Sequence, residues 1–570
     1  MSKFKIILKY YFLEKKLLSI FLITSLGVTL LDLSSPIIVK KIIDHSLPNK
    51  NLEELFYLSG LVLFIYICRG ISLIYSSSRG QLLGNKLKFH MRNDLISHFL
   101  KQSFEFFYKK NSGELISRII GDLENVSTLL YKGLESFLSS LLVLIGSFLL
   151  MLKFSPILAG VTFIPLPFAF IFVYLINGKL KKGYFKIRKE NSNLTSFIND
   201  IFRLVFFIKD NSLEEDHKKK FIETNVKLLK SEKDNFLNSA YLMGGIVFYN
   251  QFLQLLLIFI GGILFINNKI SLGIIISFLL LVDRFKVSLM RFIGLIDLYQ
   301  RGMVGISRFQ EGITTKNYFI DGNIELKEEL ECIEFKNVSF SYDGKVDILK
   351  NINFKILKGK KIAIGGQSGV GKSTIFNLIK KSYLPTEGNI YINGIDIRKI
   401  KTASLLEKIG IINREENLFN DTVLENIRIV NREKYTVEEV MDATKKACIH
   451  DKIMNLKKKY KTLLGTDGIN LSNGEGQRIS IARIFLKKAR LIMLDEATSG
   501  LDNIIESEII ENIYEFFKEE TILVITHKLE LLKEYDEIIL IENGEIIEKG
   551  TYEELIRLKN KFYKILKKTS

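Results

Sequence analysis

The sequence predicts a chain in two parts: an all-α membrane domain of six helices, then an α/β domain built on a phosphate-binding loop. Three observations predict it. Long apolar runs recur up to about residue 315 and then give way to strand-like and amphipathic segments. The stretch GGQSGVGKST, residues 365–374, holds the pattern G-x-x-x-x-G-K-[ST] between a strand-like run, KKIAIGG, and a helix-like run, STIFNLIKK. Further on, RLIMLDEATSGLD ends an apolar strand in two carboxylates.

The 570 residues leave room for two or more domains. The formal net charge of +18 would suit a nucleic-acid binder. Lys and Arg, however, cluster in loops between apolar runs, as the positive-inside rule expects of a membrane protein, so nucleic acid is not an expected partner. Cys68, Cys332 and Cys448 have no C-x-x-C spacing, which argues against disulfides and a zinc site. The Lys-rich N-terminus leads into an apolar run longer than a signal peptide, with no small-residue cleavage site, and reads as an uncleaved first span.

Six spans are expected, near 17–41, 55–77, 134–153, 156–177, 240–266 and 270–297. Each approaches the roughly 20 residues that cross a bilayer, and backbone groups in lipid must be satisfied within the segment, hence helices. The linkers 78–133 and 178–239 are long and polar, and the second is rich in Lys and Arg, as is the N-terminus with Lys3, Lys5, Lys9, Lys15 and Lys16. These segments and both termini are therefore expected in the cytoplasm. Both linkers keep a helical apolar period, so spans 2 to 5 should continue as helices far beyond the bilayer.

Charges inside spans cost about 2.5–3.5 kcal/mol each at mid-bilayer. The candidates are Asp32, Arg69, Asp283, Arg284 and Lys286. Asp283 and Lys286 can pair on one helix face, while Arg284 and Arg291 share another. Either span 6 lines a polar cavity, or it leaves the membrane early with its basic end at the inner interface. Arg69 is expected to face a wet cavity rather than lipid.

In the phosphate loop, Gly366, Gly369 and Gly371 let successive backbone N–H groups face an anion, and the following helix adds its partial positive end. Gln367, Ser368, Val370 and Thr374 complete the loop. Lys372 would reach the β- and γ-phosphates of ATP, and Ser373 would offer a hydroxyl to Mg²⁺. Asp495 stands where a carboxylate that orders Mg²⁺ is needed, and Glu496 can polarise an attacking water.

LSNGEGQRISIARIFLKKARLIMLDEATSGLD, residues 471–502, resembles the signature and Walker-B block of ATP-binding cassette (ABC) proteins. With a membrane half first and a cassette second, the chain resembles a half-size ABC transporter of the exporter (type IV) fold. The resemblance implies a transmembrane domain at 1–315, a linker at 316–329 and an ABC nucleotide-binding domain at 330–570. It implies roles for single residues too. Tyr342 would stack on adenine. Ser472 and Gly474, with Glu475 where the family has glutamine, would touch the γ-phosphate of ATP held by another cassette. Asp502 falls in the D-loop with Ser499, Gly500 and Leu501. His527 would contact the γ-phosphate. TLLGTDG at 462–468 resembles the loop that meets the membrane half, 106–126 resembles the first coupling-helix region, and 201–209 resembles the approach to the second.

One position departs from the family. The Q-loop glutamine is replaced by Arg414, which has no acceptor for Mg²⁺. Either Asn413 supplies the carbonyl, or Arg414 acts as a fixed cation on the γ-phosphate.

The resemblance implies ATP and Mg²⁺ as cofactors and a dimer, homo- or heteromeric, in a bacterial plasma membrane. The expected activity is ATP hydrolysis that drives a drug, lipid or peptide out of the cytoplasm by alternating access. Import of a metal chelate on the same fold, and an ABC ATPase without transport, are the alternatives. The Lys, Ile and Asn richness suggests an AT-rich bacterial genome.

Overall fold

The computed structural model describes residues 3–315, 321–367, 369–412, 418–431, 434–465, 468–469, 471–495, 502–526 and 529–569. The chain divides into two compact units: residues 1–100 with 111–315, and residues 101–110 with 316–570.

The first unit is helical. Its long helices are α1 (Lys15–Lys41), α2 (Leu52–Phe99), α3 (Leu134–Phe154), α4 (Leu166–Arg203), α5 (Glu214–Ile266) and α6 (Leu272–Thr314). The 53 residues of α5 extend about 80 Å at 1.5 Å per residue, far more than a bilayer needs. Asn51 caps α2 by accepting from the Glu54 N–H at 3.1 Å, with Glu53 and Glu54 in the positively polarised first turn. Span 4 is interrupted: a short helix, Pro156–Phe163, precedes Pro165, after which α4 begins.

Among the described residues, five helical stretches are long and apolar enough to cross a membrane by length and composition. They correspond to the first five predicted spans. The sixth predicted span is helical within α6 and apolar, but it carries three charged residues, Asp283, Arg284 and Lys286, and is not among those five. α1, α2, α3 and α6 form one bundle, while α4 and α5 pair chiefly with each other. A shared apolar core, including Met151, Leu158, Leu257 and Phe278, joins spans 3 to 6. At one end of the bundle the Asp44 carboxylate, in the helical turn Ile42–Ser46 that follows α1, accepts from Ser271 Oγ at 2.6 Å and from the Gly273 N–H at 2.8 Å, tying that turn to the start of α6.

The second unit holds two sheets. An antiparallel sheet has the order β2-β1-β4-β5, from β1 (Cys332–Phe340), β2 (Leu349–Leu357), β4 (Glu387–Ile392) and β5 (Ile395–Asp396). A mostly parallel sheet has the order β10-β9-β3-β8-β7-β6, from β3 (Lys361–Gly365), β6 (Ile409–Ile412), β7 (Leu491–Asp495), β8 (Thr521–Ile525), β9 (Glu537–Glu542) and β10 (Glu545–Gly550). Its central strands are buried on both faces, which is why they read as unbroken apolar runs. Ile492, Leu494, Ile522 and Val524 enter one core with the helical part, and Leu491, Met493, Leu523 and Ile525 enter the other with the antiparallel sheet.

Two departures from expectation concern boundaries. The sequence of residues 403–410 reads as a helix, but the observed helix, Thr402–Glu407, stops short and Ile409 opens β6, because Ile409 and Gly410 pair with Leu491 and Ile492 in the sheet. Residues 101–110 belong to the second unit although they fall early in the chain. They contain a short helix, Phe104–Lys109, with Phe106 buried.

Candidate active site

The parallel sheet determines which residues meet. β8 lies between β3 and β7, and Ile364, Ile525 and Asp495 are in register across the three strands. With strands about 4.8 Å apart, the phosphate loop after β3 and the carboxylate ending β7 stand roughly 10 Å apart at the carboxyl edge. Ligands of open α/β sheets bind at that edge.

The loop after β3 requires its glycines. Gly366 adopts φ +147°, and a Cβ there would lie 2.4 Å from the Ile541 carbonyl oxygen. Gly371, at φ +102°, precedes α7 (Lys372–Ile379), and a Cβ there would lie 2.7 Å from a Leu349 methyl. The backbone can turn its N–H groups inward only because both positions lack side chains. Lys372 is buried, and its ammonium donates to the Gly366 and Gln367 carbonyls at 2.8 Å each. Val370 packs against the core beside the antiparallel sheet. Ser373 is exposed, while Thr374 is buried.

Tyr342 sits beside this loop. Its hydroxyl is 3.2 Å from Thr374 Oγ1 and accepts from Asn377 Nδ2 at 3.2 Å. Its ring packs edge-to-face on Phe340 and Tyr383, at centroid distances of 4.8 and 5.1 Å. Burial, the neighbouring Tyr342, and the Glu105 and Tyr108 charges push the Tyr383 hydroxyl pKa upward. The short helix Phe104–Lys109 therefore lies within electrostatic range of the aromatic group beside the loop.

Asp495 acts electrostatically on Lys380, at the end of α7. Burial pushes the Lys380 amine down, and the Asp495 charge opposes this. Ser373 and Asp495 are hard oxygen donors of the type that suits Mg²⁺.

Ser472 caps α8 (Asn473–Lys487) in a reciprocal capping box: its Oγ accepts from the Glu475 N–H at 3.3 Å, and Glu475 accepts from the Ser472 N–H at 3.0 Å. Glu475 also pairs with Lys452 at 2.8 Å. Burial alone would raise the Glu475 pKa, but hydrogen bonds from Lys452 and Ser472 outweigh it and hold the carboxyl below its ordinary value. The Gly474 carbonyl accepts from Arg478 Nε at 3.3 Å. Asp502 precedes α9 (Asn503–Phe516), and its exposed side chain makes no capping bond. Ser368, Arg414, Glu496 and His527 lie outside the described residues, as do Asn413, Ser499, Gly500 and Leu501.

Residues 349–499 match the model of the ABC transporter family, and residues 18–285 match that of the ABC transporter transmembrane region. This chain is an ABC transporter. It joins a permease part to an ATP-binding part that hydrolyses ATP in support of transport, and it is a multi-pass membrane protein. It is 31% identical over 556 residues to the ABC transporter ATP-binding protein YfiC of Bacillus subtilis, covering 97% of this chain and 92% of the relative. It is 34% identical over 533 residues, 91% of this chain and 92% of the relative, to a Staphylococcus aureus (strain NCTC 8325) protein named for multidrug export as an ATP-binding/permease protein.

Proposed function

We propose that this transporter exports an amphiphilic substrate (a drug, lipid or peptide) from the bacterial cytoplasm across the plasma membrane, with both termini inside. One observation carries the reading. A phosphate loop and a β7 carboxylate share one sheet edge in a chain that also holds several long apolar helices, and a relative matched over nine-tenths of the length is named for multidrug export.

In this reading Gly366, Gly369, Gly371 and Lys372 hold the phosphates, Tyr342 takes the adenine, and Ser373 and Asp495 hold Mg²⁺, which neutralises phosphate charge. Ser368 and Thr374 complete the loop, Glu496 polarises the attacking water, and His527 and Arg414 reach the γ-phosphate. Ser472, Gly474, Glu475 and Asp502 serve the ATP of a second subunit, so the working unit is a dimer with two composite sites. Exposed aromatics at the α4–α5 tip, Phe202, Phe206 and Phe207, offer that subunit an apolar docking surface. ATP binds the closed dimer better than the open one and shifts the membrane cavity outward, and hydrolysis resets it.

Inside-out vesicles carrying the chain should accumulate a fluorescent amphiphile only with Mg-ATP. ATP-driven loss of dye from the lumen would instead support import, and ATP hydrolysis that moves no dye in either direction would support the ATPase without transport.

A further inference from the structure

The membrane helices contain a charge imbalance that the transport cycle does not use. Asp32 of α1 receives Arg69 Nε of α2 at 2.5 Å and lies 3.3 Å from Arg284 Nη1 of α6. One carboxylate therefore faces two guanidinium groups, and among the described residues no other carboxylate pairs with either. The neighbouring Asp283 is already engaged, 3.3 Å from Lys286.

The cluster is well inside the apolar span. Asp32 is about 12 Å along the helix from Lys40 and about 24 Å from Lys16. An uncompensated cation at that depth is costly, and such groups mark substrate paths. The arginines are not sealed: their side chains are 31% and 33% exposed, while Asp32 is 14% exposed. Exposed apolar residues flank them one turn away, Tyr66 and Leu73 beside Arg69, Leu280 and Val287 beside Arg284.

A second imbalance lies toward the basic linker. A cleft of about 940 Å³ is lined by Lys181, Lys182, Arg188 and Arg301 together with Asp122 and Asp297. Asp297 is paired with Arg301 at 2.5 Å and Asp122 with Arg308 at 3.3 Å. This leaves Lys181, Lys182 and Arg188 without a carboxylate partner among the described residues. Both the cleft and the intramembrane cluster carry surplus positive charge.

We propose that the cargo is an amphiphile with an anionic head group, attracted by the Lys181–Lys182–Arg188 cleft and held in the membrane by Arg69 and Arg284, with Asp32 limiting how tightly it is held. This rests on the export reading and names its substrate class. Arg suits the role because its planar fork matches a carboxylate or phosphate and stays charged.

The test is a fluorescence titration of the full chain in zwitterionic-lipid nanodiscs, without nucleotide, using a dansyl-labelled long-chain carboxylate. The wild type should bind it saturably, and the methyl ester and a trimethylammonium analogue of equal length should compete poorly. Arg284→Gln should weaken binding about tenfold, the value of one charge-assisted contact. Asp32→Asn should tighten it several-fold, a gain that misfolding cannot produce. Equal binding of the three head groups, or a dissociation constant unmoved by both substitutions, would overturn the proposal. ATP hydrolysis by the same wild-type nanodiscs separates the two readings. Hydrolysis without head-group preference removes only the cargo assignment, whereas selective binding without hydrolysis removes the transport reading.

Discussion

Ser472 and Glu475 cap each other at the start of α8, and the carboxylate that closes this box replaces the glutamine of the family's signature. A negative charge therefore stands where the proposed composite site would receive a γ-phosphate. Lys452 offsets it without removing it. Glu475→Gln keeps an acceptor for the Ser472 N–H and deletes the charge. ATP hydrolysis should rise about three- to tenfold, the equivalent of roughly 1 kcal/mol of relieved repulsion. A rate at or below wild type would show that the carboxylate does not oppose the phosphate.

The same residue has a pH signature. Its carboxyl is held below its ordinary value in the folded chain. Its ionised form therefore stabilises the fold above the unfolded pKa, and this contribution disappears as pH falls through the folded pKa. Between neutral pH and about pH 3, which spans the unperturbed Glu value, Glu475→Gln should lose less thermal stability than the wild type. Parallel losses would contradict the pairing.

Gly366 tests the loop geometry. Gly366→Ala places a Cβ 2.4 Å from the Ile541 carbonyl at φ +147°. Strain of this kind costs about 1–3 kcal/mol before the clash is counted. Thermal unfolding should start several degrees earlier, and binding of a fluorescent ATP analogue should be lost. Unchanged binding would mean that the loop does not hold phosphate in this conformation.

Tyr342 tests the adenine assignment. Tyr342→Ala should weaken ATP binding about tenfold, in line with the 1–3 kcal/mol of base–aromatic stacking. Tyr342→Phe keeps the ring, loses only the contacts to Thr374 and Asn377, and should bind nearly as wild type. A loss in Phe equal to that in Ala would assign the role to the hydroxyl instead.

Much of the fold was legible because its signals are local. The β7 and β8 runs, RLIMLD and TILVIT, announce strands buried on both faces, and the phosphate loop needs only its glycines and flanks. The missed features depend on partners distant in sequence. Asp32, Arg69 and Arg284 were each recognisable as costly intramembrane charges, but nothing local reveals that two arginines share one carboxylate. Tyr383 and Lys452 have no motif, and only the folded chain brings them to Tyr342 and Glu475. The β6 boundary was misread because Ile409 and Gly410 continue a helical apolar period and become strand only by pairing with β7. The single-point division of the chain missed residues 101–110, since Phe106 is buried in a unit whose other residues follow more than 200 positions later.

The central claim is that ATP hydrolysis by this chain, with Glu496 polarising the water, powers the membrane cycle. The most direct measurement is steady-state ATP hydrolysis by Glu496→Gln in nanodiscs beside its binding of ATP. The account predicts ATP binding at wild-type strength with hydrolysis reduced about 10²- to 10⁴-fold, the usual contribution of a general base. Near-normal turnover in that variant would contradict it.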